Sequence, residues 1–479
     1  GRYMKVISCL LGLCVVLFFV GCQTEGRPGS RSGFNMPAQW RSSVNSTNSV
    51  LARWWLQFNN PNLNALVEEG LSNNLDIQIA HKRMELARVQ ARMVDFSSRP
   101  RLNASINGEK RRSNYIGLPF GDGGVIKSRT ENYGSNLSVN WEVDLWGRIR
   151  NAKNASKMDV YATGLDSKAA AHSLIGQVVK VWFSLAEANE LVELLKEQVG
   201  IAKLALDQVE IRYKLGNAST AELKRSEANV AHYESRLSDA FSSIVRNLRT
   251  LELLLGRNTG DEVLNWGKLP ASLADIPVGL PSGVLECRPD IAASIIRIRA
   301  AELRIAEAQS SLLPQLSLTG SAGASSNQLK DLLDGNFLVW ALGGNLAQSI
   351  LLPDERKARV LEREVHAEKF LLEHRAIVLQ ALSEVEQALE VGVYFDRQLS
   401  KSLDASTKYG ELIEIYKGRH VKGVGNLRDL LEAQRLYVDS KMNWVRLKKY
   451  QIDNRVNLHL ALGGGFEFKG SINEANTTD

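Results

Sequence analysis

Proline is scarce in this sequence, and its distribution leaves room for very long helices. Only 11 of the 479 residues are proline, with none between Pro119 and Pro270 and none after Pro353. Proline lacks a backbone donor and breaks the interior of a helix, so both proline-free stretches are open to uninterrupted helices. The remaining composition is that of a folded chain, with 44% hydrophobic and 23% charged residues, which argues against disorder.

Motifs of catalysis and of nucleic-acid binding are also missing. None of the seven histidines falls in an HExxH pattern, and the sequence has neither a phosphate-binding glycine loop nor a GxSxG motif. We therefore expect no enzyme activity, no cofactor and no metal site. The net charge of +6 is spread along the chain, whereas a nucleic-acid footprint concentrates its basic residues, so no nucleic-acid partner is expected.

Cysteine is nearly absent beyond the N-terminal region, where the pattern is that of a secretion signal. Three of the four cysteines lie within residues 1–22, and Cys287, which we interpret as a structural thiol, stands alone. Met4-Lys5 precedes an apolar run that ends at Gly21-Cys22. A basic start, an apolar core and a small residue before the cut describe a secretory signal. We assign residues 1–21 to a signal peptide.

The end of this signal, Phe19-Val20-Gly21-Cys22, resembles a bacterial lipobox. The resemblance implies that Cys22 is lipidated, and the absence of a following aspartate implies delivery to the outer membrane. Acyl chains bury many methylene groups and anchor a protein to a bilayer. We interpret residues 22–66 as a lipid-anchored tether; the alternative is an ordinary signal peptide that ends beside an incidental cysteine.

The rest of the chain contains an internal sequence duplication. Asp76 precedes Pro100 by 24 residues, and Asp290 precedes Pro314 by the same interval. Later markers recur at an offset of 207, so that Arg212, Gly216, Leu223 and Leu255-Gly256 correspond to Arg419, Gly423, Leu430 and Leu462-Gly463. We therefore predict two homologous halves, 67–266 and 281–464, a proline-rich linker, 267–280, and a C-terminal tail, 465–479.

Each half contains a pair of predicted strands after its proline. In the clearest strand, odd positions are apolar and even positions are polar, namely Tyr133, Leu137, Val139, Trp141 and Val143 against Asn132, Asn136, Ser138, Asn140 and Glu142. Strict alternation sorts the two faces of a strand and fits a strand of an outer-membrane barrel, although a soluble sheet over a helix shows the same pattern. Residues 109–130, rich in charge and glycine, are predicted to form an exposed loop.

Long helices follow the strands. An apolar seam with alternating steps of three and four extends through Val178, Val181, Leu185, Ala188, Val192, Leu195, Val199, Ala202, Leu206, Val209 and Tyr213. Such heptads are typical of helices that pack along their length, and a helix from Gly147 to Gly216 would reach roughly 100 Å. Gly216 and Gly423 are predicted to end the two long helices, because glycine adopts the positive φ of a helix terminus.

Together these features resemble the TolC-like outer membrane efflux protein family, the outer membrane factors, and in particular its NodT/OprM-type lipoprotein branch. The motifs that carry the resemblance are Cys22, Trp54-Trp55 with Phe58, Pro61 to Leu63, Asn74, Asp76-Ile77, Pro100, the block Trp141 to Arg148, Arg212-Tyr213 with Gly216, and Gly423 with Asp429 to Glu432. They cover essentially the whole chain after Cys22.

The resemblance implies a mainly α chain with a transmembrane β part. It implies a homotrimer whose twelve strands close one β-barrel in the outer membrane, continued by a long periplasmic α-helical barrel. It further implies a passive exit duct for a tripartite efflux pump. Its partners would then be a periplasmic adaptor protein, an inner-membrane pump of the RND type and the lipid of the outer membrane.

Two groups of residues are candidate sites. Asp429 and Glu432 share a face of the second return helix because they are three residues apart, and threefold symmetry would repeat them as a ring of carboxylates. By similarity they fit the family's acidic periplasmic gate, with Arg428 as a partner; a solvated helix start is the alternative. Trp146, Gly147 and Arg148 are predicted to mark a strand-to-helix hinge at the membrane's inner face, or to pack in a core.

Two other functions are compatible with the same strands and long helices. The barrel could serve a type I protein secretion system, in which only the partner differs. The chain could also be a structural lipoprotein that spans the periplasm without conducting.

Overall fold

The chain folds as two successive series of the same elements. The computed structural model describes residues 53–115, 126–258, 267–270, 273, 287–348, 353–422 and 424–464. The elements are α1 (Pro61–Asn73), α2 (Leu75–Phe96), β1 (Arg101–Tyr115), β2 (Ile126–Val143), α3 (Arg148–Lys214), α4 (Thr220–Leu255), α5 (Pro289–Ser310), β3 (Gln315–Ser326), β4 (Leu338–Ala347), α6 (Pro353–Val421) and α7 (Leu427–Ala461). Short 3-10 helices span Trp54–Phe58, Leu329–Leu333 and Gly335–Phe337. The order helix, strand pair, long helix, return helix therefore occurs twice, as predicted.

The four strands form one antiparallel sheet in the order β1-β2-β3-β4. Its central pairing, β2 with β3, joins the two repeats. Leu102, Val139, Gly320 and Leu342 lie side by side across the sheet. Since directly opposed residues point to the same side, this register confirms one apolar face, which we call the apolar band. The opposite face is polar and almost uncharged, with Asn103, Ser105, Asn136, Ser138, Asn140, Thr319 and Ser321.

The β1–β2 hairpin is longer than predicted, which corrects the expected loop at residues 109–130. Backbone pairing continues to Tyr115 opposite Ile126, while β3 pairs with β2 only as far as Tyr133 opposite Ser326. Residues 109–115 and 126–132 thus form a two-stranded ribbon beyond the four-stranded sheet. The alternation was hidden because both faces of this ribbon carry charged or polar side chains.

The long helices reach the predicted length. Helix α3 has 67 residues and α6 has 69, which corresponds to about 100 Å each. Helix α3 packs against α2, α4, α5 and α7, and α6 packs against α5 and α7. The heptad seam of α3 is buried from Val178 to Ala202, apart from a half-buried Val181, and then becomes progressively exposed towards Tyr213. Among the described residues, no helix combines the length and the apolar character that crossing a bilayer requires.

The segment before the first repeat contributes to the core. Trp54, Leu63 and Leu66 are at most 1% exposed, and Phe58 packs against Phe183 of α3 with ring centroids 4.8 Å apart. The predicted tether, residues 22–66, therefore includes a folded part from Trp54 onward, because its aromatic and aliphatic side chains are buried against α3. Residues 22–52 lie outside the described residues.

In both repeats, a side chain at the start of the first helix donates a hydrogen bond to a carbonyl near the end of the return helix. In the first repeat, the Asn74 amide donates to the Leu254 carbonyl at 2.9 Å. In the second, the Arg288 guanidinium donates to the Ala461 carbonyl at 3.3 Å. Because 461 and 254 differ by the offset of 207, each first helix is tied to the equivalent carbonyl of its return helix.

Candidate functional site

The turn between α3 and α4 is built around Gly216. This glycine has a φ of 76°, the left-handed region that glycine adopts without strain. The Asn217 N–H donates to the Arg212 carbonyl at 2.7 Å. Ser219 and Glu222 then form a reciprocal capping box at the start of α4, which satisfies amides that the helix leaves free.

The turn between α6 and α7 is the equivalent of this one. Gly423, the second glycine predicted here, lies outside the described residues. Asn426 caps α7, with its side-chain oxygen accepting from the Arg428 N–H at 3.0 Å. A Cβ on Gly425 would lie 2.7 Å from the His420 nitrogen, so the close approach of two backbone segments requires glycine at this position.

Ion pairs connect the two turns, and we call Arg212, Glu222 and Arg428 the tip cluster. The Glu222 carboxylate lies 3.7 Å from the Arg212 guanidinium and 3.8 Å from that of Arg428. One carboxylate on α4 therefore faces cations from α3 and α7. The family resemblance suggested Arg428 as a partner of the gate acids, but the sequence did not indicate Glu222, because these two residues are separated by 206 positions.

The two predicted gate acids have different surroundings. Glu432 accepts two hydrogen bonds from Arg435, at 2.9 and 2.6 Å. These bonds stabilise the ionised form, so the pKa of Glu432 lies below its usual range. Arg435 also donates to Asp439 at 3.1 Å. Asp429 is exposed and has no ion-pair partner among the described residues, which leaves its full charge facing solvent.

The second candidate site is the corner at which β2 meets α3. Arg148 donates to both oxygens of Glu142, with three contacts between 2.8 and 3.1 Å. Asp144 accepts from the backbone N–H groups of Ile149 and Arg150, at 3.1 and 2.8 Å. A carboxylate at a helix N-terminus satisfies free amides and complements the helix dipole. The alternating charges of this block thus fix the direction in which α3 leaves the sheet.

Trp146 connects this corner to the second repeat. Its indole N–H donates to the Pro314 carbonyl at 2.7 Å, and its own carbonyl accepts from the Ser310 hydroxyl at 3.0 Å. Gly147, with a φ of 77°, follows it directly and is the N-cap of α3. The three residues predicted as a hinge therefore lie together at the boundary of strand and helix, and Trp146 is still 46% exposed.

Two histidines, the buried His459 and the half-buried His172, were given no role by the sequence. The His459 ring stacks on Trp54 with centroids 4.8 Å apart. Burial, with Arg455 and His172 nearby, lowers the pKa of His459 to about 3. Burial, with the positive charge of Arg288, lowers the pKa of His172 to about 4. Both rings are therefore neutral at physiological pH, and no described group of His, Cys, Asp and Glu has the arrangement of a metal site.

The outer membrane efflux protein model matches residues 66–257 and 280–464. The chain belongs to this family. Among curated outer membrane efflux proteins, it is 26% identical to the pyoverdine export outer membrane protein OpmQ of Pseudomonas putida, over 96% of this chain and 97% of that one. It is 26% identical to the toluene efflux pump outer membrane protein TtgI of the same species, over 85% of this chain and 86% of that one.

A third relative and two solved structures extend the comparison of this efflux protein. The probable outer membrane lipoprotein SilC of Salmonella typhimurium is 23% identical, over 95% of this chain and 98% of that one. The outer membrane channel CmeC of Campylobacter jejuni superimposes with a TM-score of 0.81, at 27% identity, over 91% of this chain and 93% of that one. The channel OprN shares the fold, with a TM-score of 0.81 at 22% identity, over 90% and 98% of the two chains.

Proposed function

We propose that this efflux protein is the outer-membrane channel of a tripartite efflux pump, a passive exit duct for cargo delivered from the inner membrane. The observation that carries the proposal is the sheet, whose apolar band is backed by a face of asparagine, serine and threonine. Such a sheet suits lipid on one side and water on the other. In this function the chain moves cargo and catalyses no reaction.

The open edges of the sheet support a homotrimer. β1 and β4 each have one strand neighbour among the described residues, and a bilayer leaves no water to satisfy unpaired backbone groups. Three copies would close a barrel of twelve strands. The helices support the same assembly, because α2 and α6, which are not neighbours, each expose an apolar row, namely Leu75, Ile79, Leu86, Val89 and Met93 on α2 and Leu361, Val365, Leu372 and Leu379 on α6.

The remaining assignments complete the proposal. Cys22, outside the described residues, would carry the acyl anchor that holds the chain to the lipid of the outer membrane. Residues 67–266 and 281–464 would be the two efflux repeats, joined by the linker 267–280 and followed by the tail 465–479. Relatives that are named as outer membrane proteins of efflux pumps support a periplasmic adaptor and an inner-membrane pump, which we assign to the RND type, as partners.

The tip cluster is our candidate for the periplasmic gate. Helices α3 and α6 both end at these turns, about 100 Å of helix away from the sheet. Glu222 holds the first turn to the second through Arg428. Asp429 and Glu432 would line the constriction as a carboxylate ring. Ion pairs of this kind can hold a pore shut until a partner changes their geometry.

The corner residues Trp146, Gly147 and Arg148 are proposed as the strand-to-helix hinge, which is the fixed end of the same motion. Their hydrogen bonds to Pro314, Ser310 and Glu142 hold the base of α3 to the sheet. The far end of α3 is more exposed and makes fewer buried contacts. Opening would therefore bend or tilt the periplasmic end while the corner stays in place.

Single-channel recording in a planar bilayer tests the function and the gate together. We expect purified trimers to insert and to conduct weakly, and Glu222→Gln to raise conductance because both guanidinium contacts are weakened. The matched control is Glu227→Gln on the same helix, which removes an acid that pairs with Lys224 instead. A trimer that inserts but never conducts, even with Glu222, Asp429 and Glu432 all neutralised, would contradict the duct and favour a structural lipoprotein.

A further inference from the structure

A group of cations follows the apolar band at the end of the sheet that is farthest from the helices. Along β2, residues at alternate positions share one face, so Trp141, Tyr133, Arg129 and Lys127 point to the same side. Arg112 lies directly opposite Arg129 and joins this side from β1. We call Arg112, Lys127 and Arg129 the ribbon cations; all three are exposed.

The ribbon cations are not neutralised by any carboxylate that the structure describes. The neighbouring Lys110 forms an ion pair with Glu131, which uses the carboxylate on this face. Asp331 and Asp334, in the β3–β4 connection, accept hydrogen bonds from Ser326 at 2.8 Å and from the Asn336 N–H at 3.0 Å. No ion pair joins a ribbon cation to a carboxylate in the described part of the chain. Like charges directly across a strand pair are destabilising, so Arg112 and Arg129 favour an external anion between them.

Their position is that of a lipid headgroup layer. Trp141 and Tyr133 are eight positions apart, about 26 Å along the strand and about 20 Å in height for a tilted strand, so these two aromatic side chains lie near the two borders of an apolar band about 25 Å tall. The helices leave the sheet at the Trp141 end, so Tyr133 marks the outer interface. Arg129 lies four positions beyond it, about 13 Å along the strand and about 10 Å in height for a tilted strand.

We propose that Arg112, Lys127 and Arg129 bind the phosphate groups of a phosphorylated glycolipid in the outer leaflet. The inference rests on the proposed function, which puts the sheet in the outer membrane. Guanidinium groups bind phosphate oxygens in pairs, and clustered cations beside an apolar surface recognise anionic lipid heads. Three cations on one small surface, without an ion-pair partner among the described residues, match a headgroup with several phosphates better than a lipid with one.

Lipid retention by the full chain tests this binding. The protein is reconstituted into phosphatidylcholine nanodiscs that contain traces of bisphosphorylated lipid A, dephosphorylated lipid A or phosphatidylglycerol, and the lipid retained per chain on repurification is measured by mass spectrometry. We expect the bisphosphorylated form to be retained about tenfold more than the dephosphorylated one, with retention falling as salt rises.

Two variants and one control separate binding from folding. Arg112→Gln/Lys127→Gln/Arg129→Gln should lose the excess retention. Arg112→Glu should also lose it, yet fold well, because the new carboxylate lies opposite Arg129. The control Arg111→Gln/Lys401→Gln/Lys417→Gln removes the same charge from the other face of the ribbon and from α6, and should retain lipid as the parent chain does.

The possible outcomes separate a failure of this inference from a failure of the proposed function on which it rests. A chain that enters none of the nanodiscs overturns both. A chain that inserts and conducts, yet retains bisphosphorylated lipid A no better than Arg112→Glu, overturns the inference alone. Equal retention of dephosphorylated lipid A would exclude the phosphates as the bound group, and equal retention of phosphatidylglycerol would exclude a glycolipid.

Discussion

Gly147, the N-cap of α3, has a φ of 77°, in a backbone region that costs residues with a Cβ about 1–2 kcal/mol. We therefore expect Gly147→Ala to lower the free energy of unfolding by about that amount, as measured by urea denaturation in detergent. The new Cβ would also lie 2.9 Å from the end of the Arg150 side chain, which can move away, so the backbone dominates the effect.

Gly200 is the control for this substitution. It lies inside the same helix, and a Cβ there would meet nothing within 4 Å. Gly200→Ala should stabilise the chain by up to about 1 kcal/mol, because alanine favours the helix more than glycine does. If both substitutions destabilise the chain equally, the conformation of Gly147 is not what the corner requires.

His459 makes stability depend on pH. An unfolded histidine has a pKa of about 6.5, and burial lowers the pKa of folded His459 to about 3. The unfolded chain therefore binds a proton that the folded chain does not, in the window between these values. Stability should be full above about pH 6.5 and fall below it, by up to about 1.4 kcal/mol per pH unit for each such proton.

His459→Phe should flatten this decline, because phenylalanine can stack on Trp54 and does not titrate. The free energy of unfolding would be measured from about pH 7 to pH 5. A residual slope is expected, since burial also lowers the pKa of His172 to about 4. The exposed His232 supplies the control, His232→Phe; a slope that is equally steep in the parent and in His459→Phe would rule out His459 as its source.

At the scale of elements, Asn74 both caps a helix and joins two helices. Its side-chain oxygen accepts from the Ile77 N–H at 3.1 Å, and its amide donates to Leu254 at 2.9 Å. Asn60 caps α1 in the same way, through Leu63 at 3.1 Å, and its side chain has no second hydrogen bond among the described residues. Asn60→Ala should cost about 1 kcal/mol, and Asn74→Ala about 1 kcal/mol more, because its bond to α4 is also lost.

Thermal or urea unfolding of both variants would measure this difference. Equal costs would mean that the bond to Leu254 contributes nothing to the junction between α2 and α4. In the second repeat, Arg288 replaces asparagine as the donor to the return helix. Arg288 is itself held by ion pairs with Asp290 and Glu384, at 2.7 and 2.6 Å.

The sequence predicted elements best where one face is apolar. Alternation in β2 fixed which side of the sheet is apolar, and the heptad seam fixed the buried side of α3. Both signals depend on an apolar face that avoids water, so they failed where neither face is apolar, as in the charged ribbon around Arg112. The tip cluster could not be predicted for another reason. Glu222 and Arg428 come into contact only when the four long helices pack together, and no local sequence pattern indicates such a contact.

At the scale of the whole molecule, the apolar row on α2 should be covered by another copy of the chain. Leu86 is 57% exposed in the single chain. In a trimer that buries this row, Leu86→Asp would place three charges in an apolar interface, where an unpaired charge is strongly disfavoured. We expect the variant to run as a monomer when its mass in detergent is measured by light scattering.

Arg88→Asp is a stringent control for that change. This substitution changes the net charge of the chain more than Leu86→Asp does. Arg88 lies two residues from Leu86 and therefore about 200° around the helix. The substitution should leave the trimer intact. A Leu86→Asp variant that stays trimeric with unchanged stability would show that α2 does not face another subunit.

The duct as a whole should select ions at its tip and not in its barrel. The polar face of the sheet is nearly free of charge, whereas Asp429 is exposed and unpaired among the described residues. A ring of such carboxylates attracts cations. In a Glu222→Gln background, which we expect to open the gate to the same extent in every sample, Asp429→Asn should lower the preference for potassium over chloride about twofold or more, as reversal potentials in a salt gradient would measure. Asp404→Asn makes the same change where Lys408, 3.0 Å away, already neutralises the acid, and should leave selectivity as it was. If the two variants have the same effect, the charge that selects ions lies somewhere other than the tip.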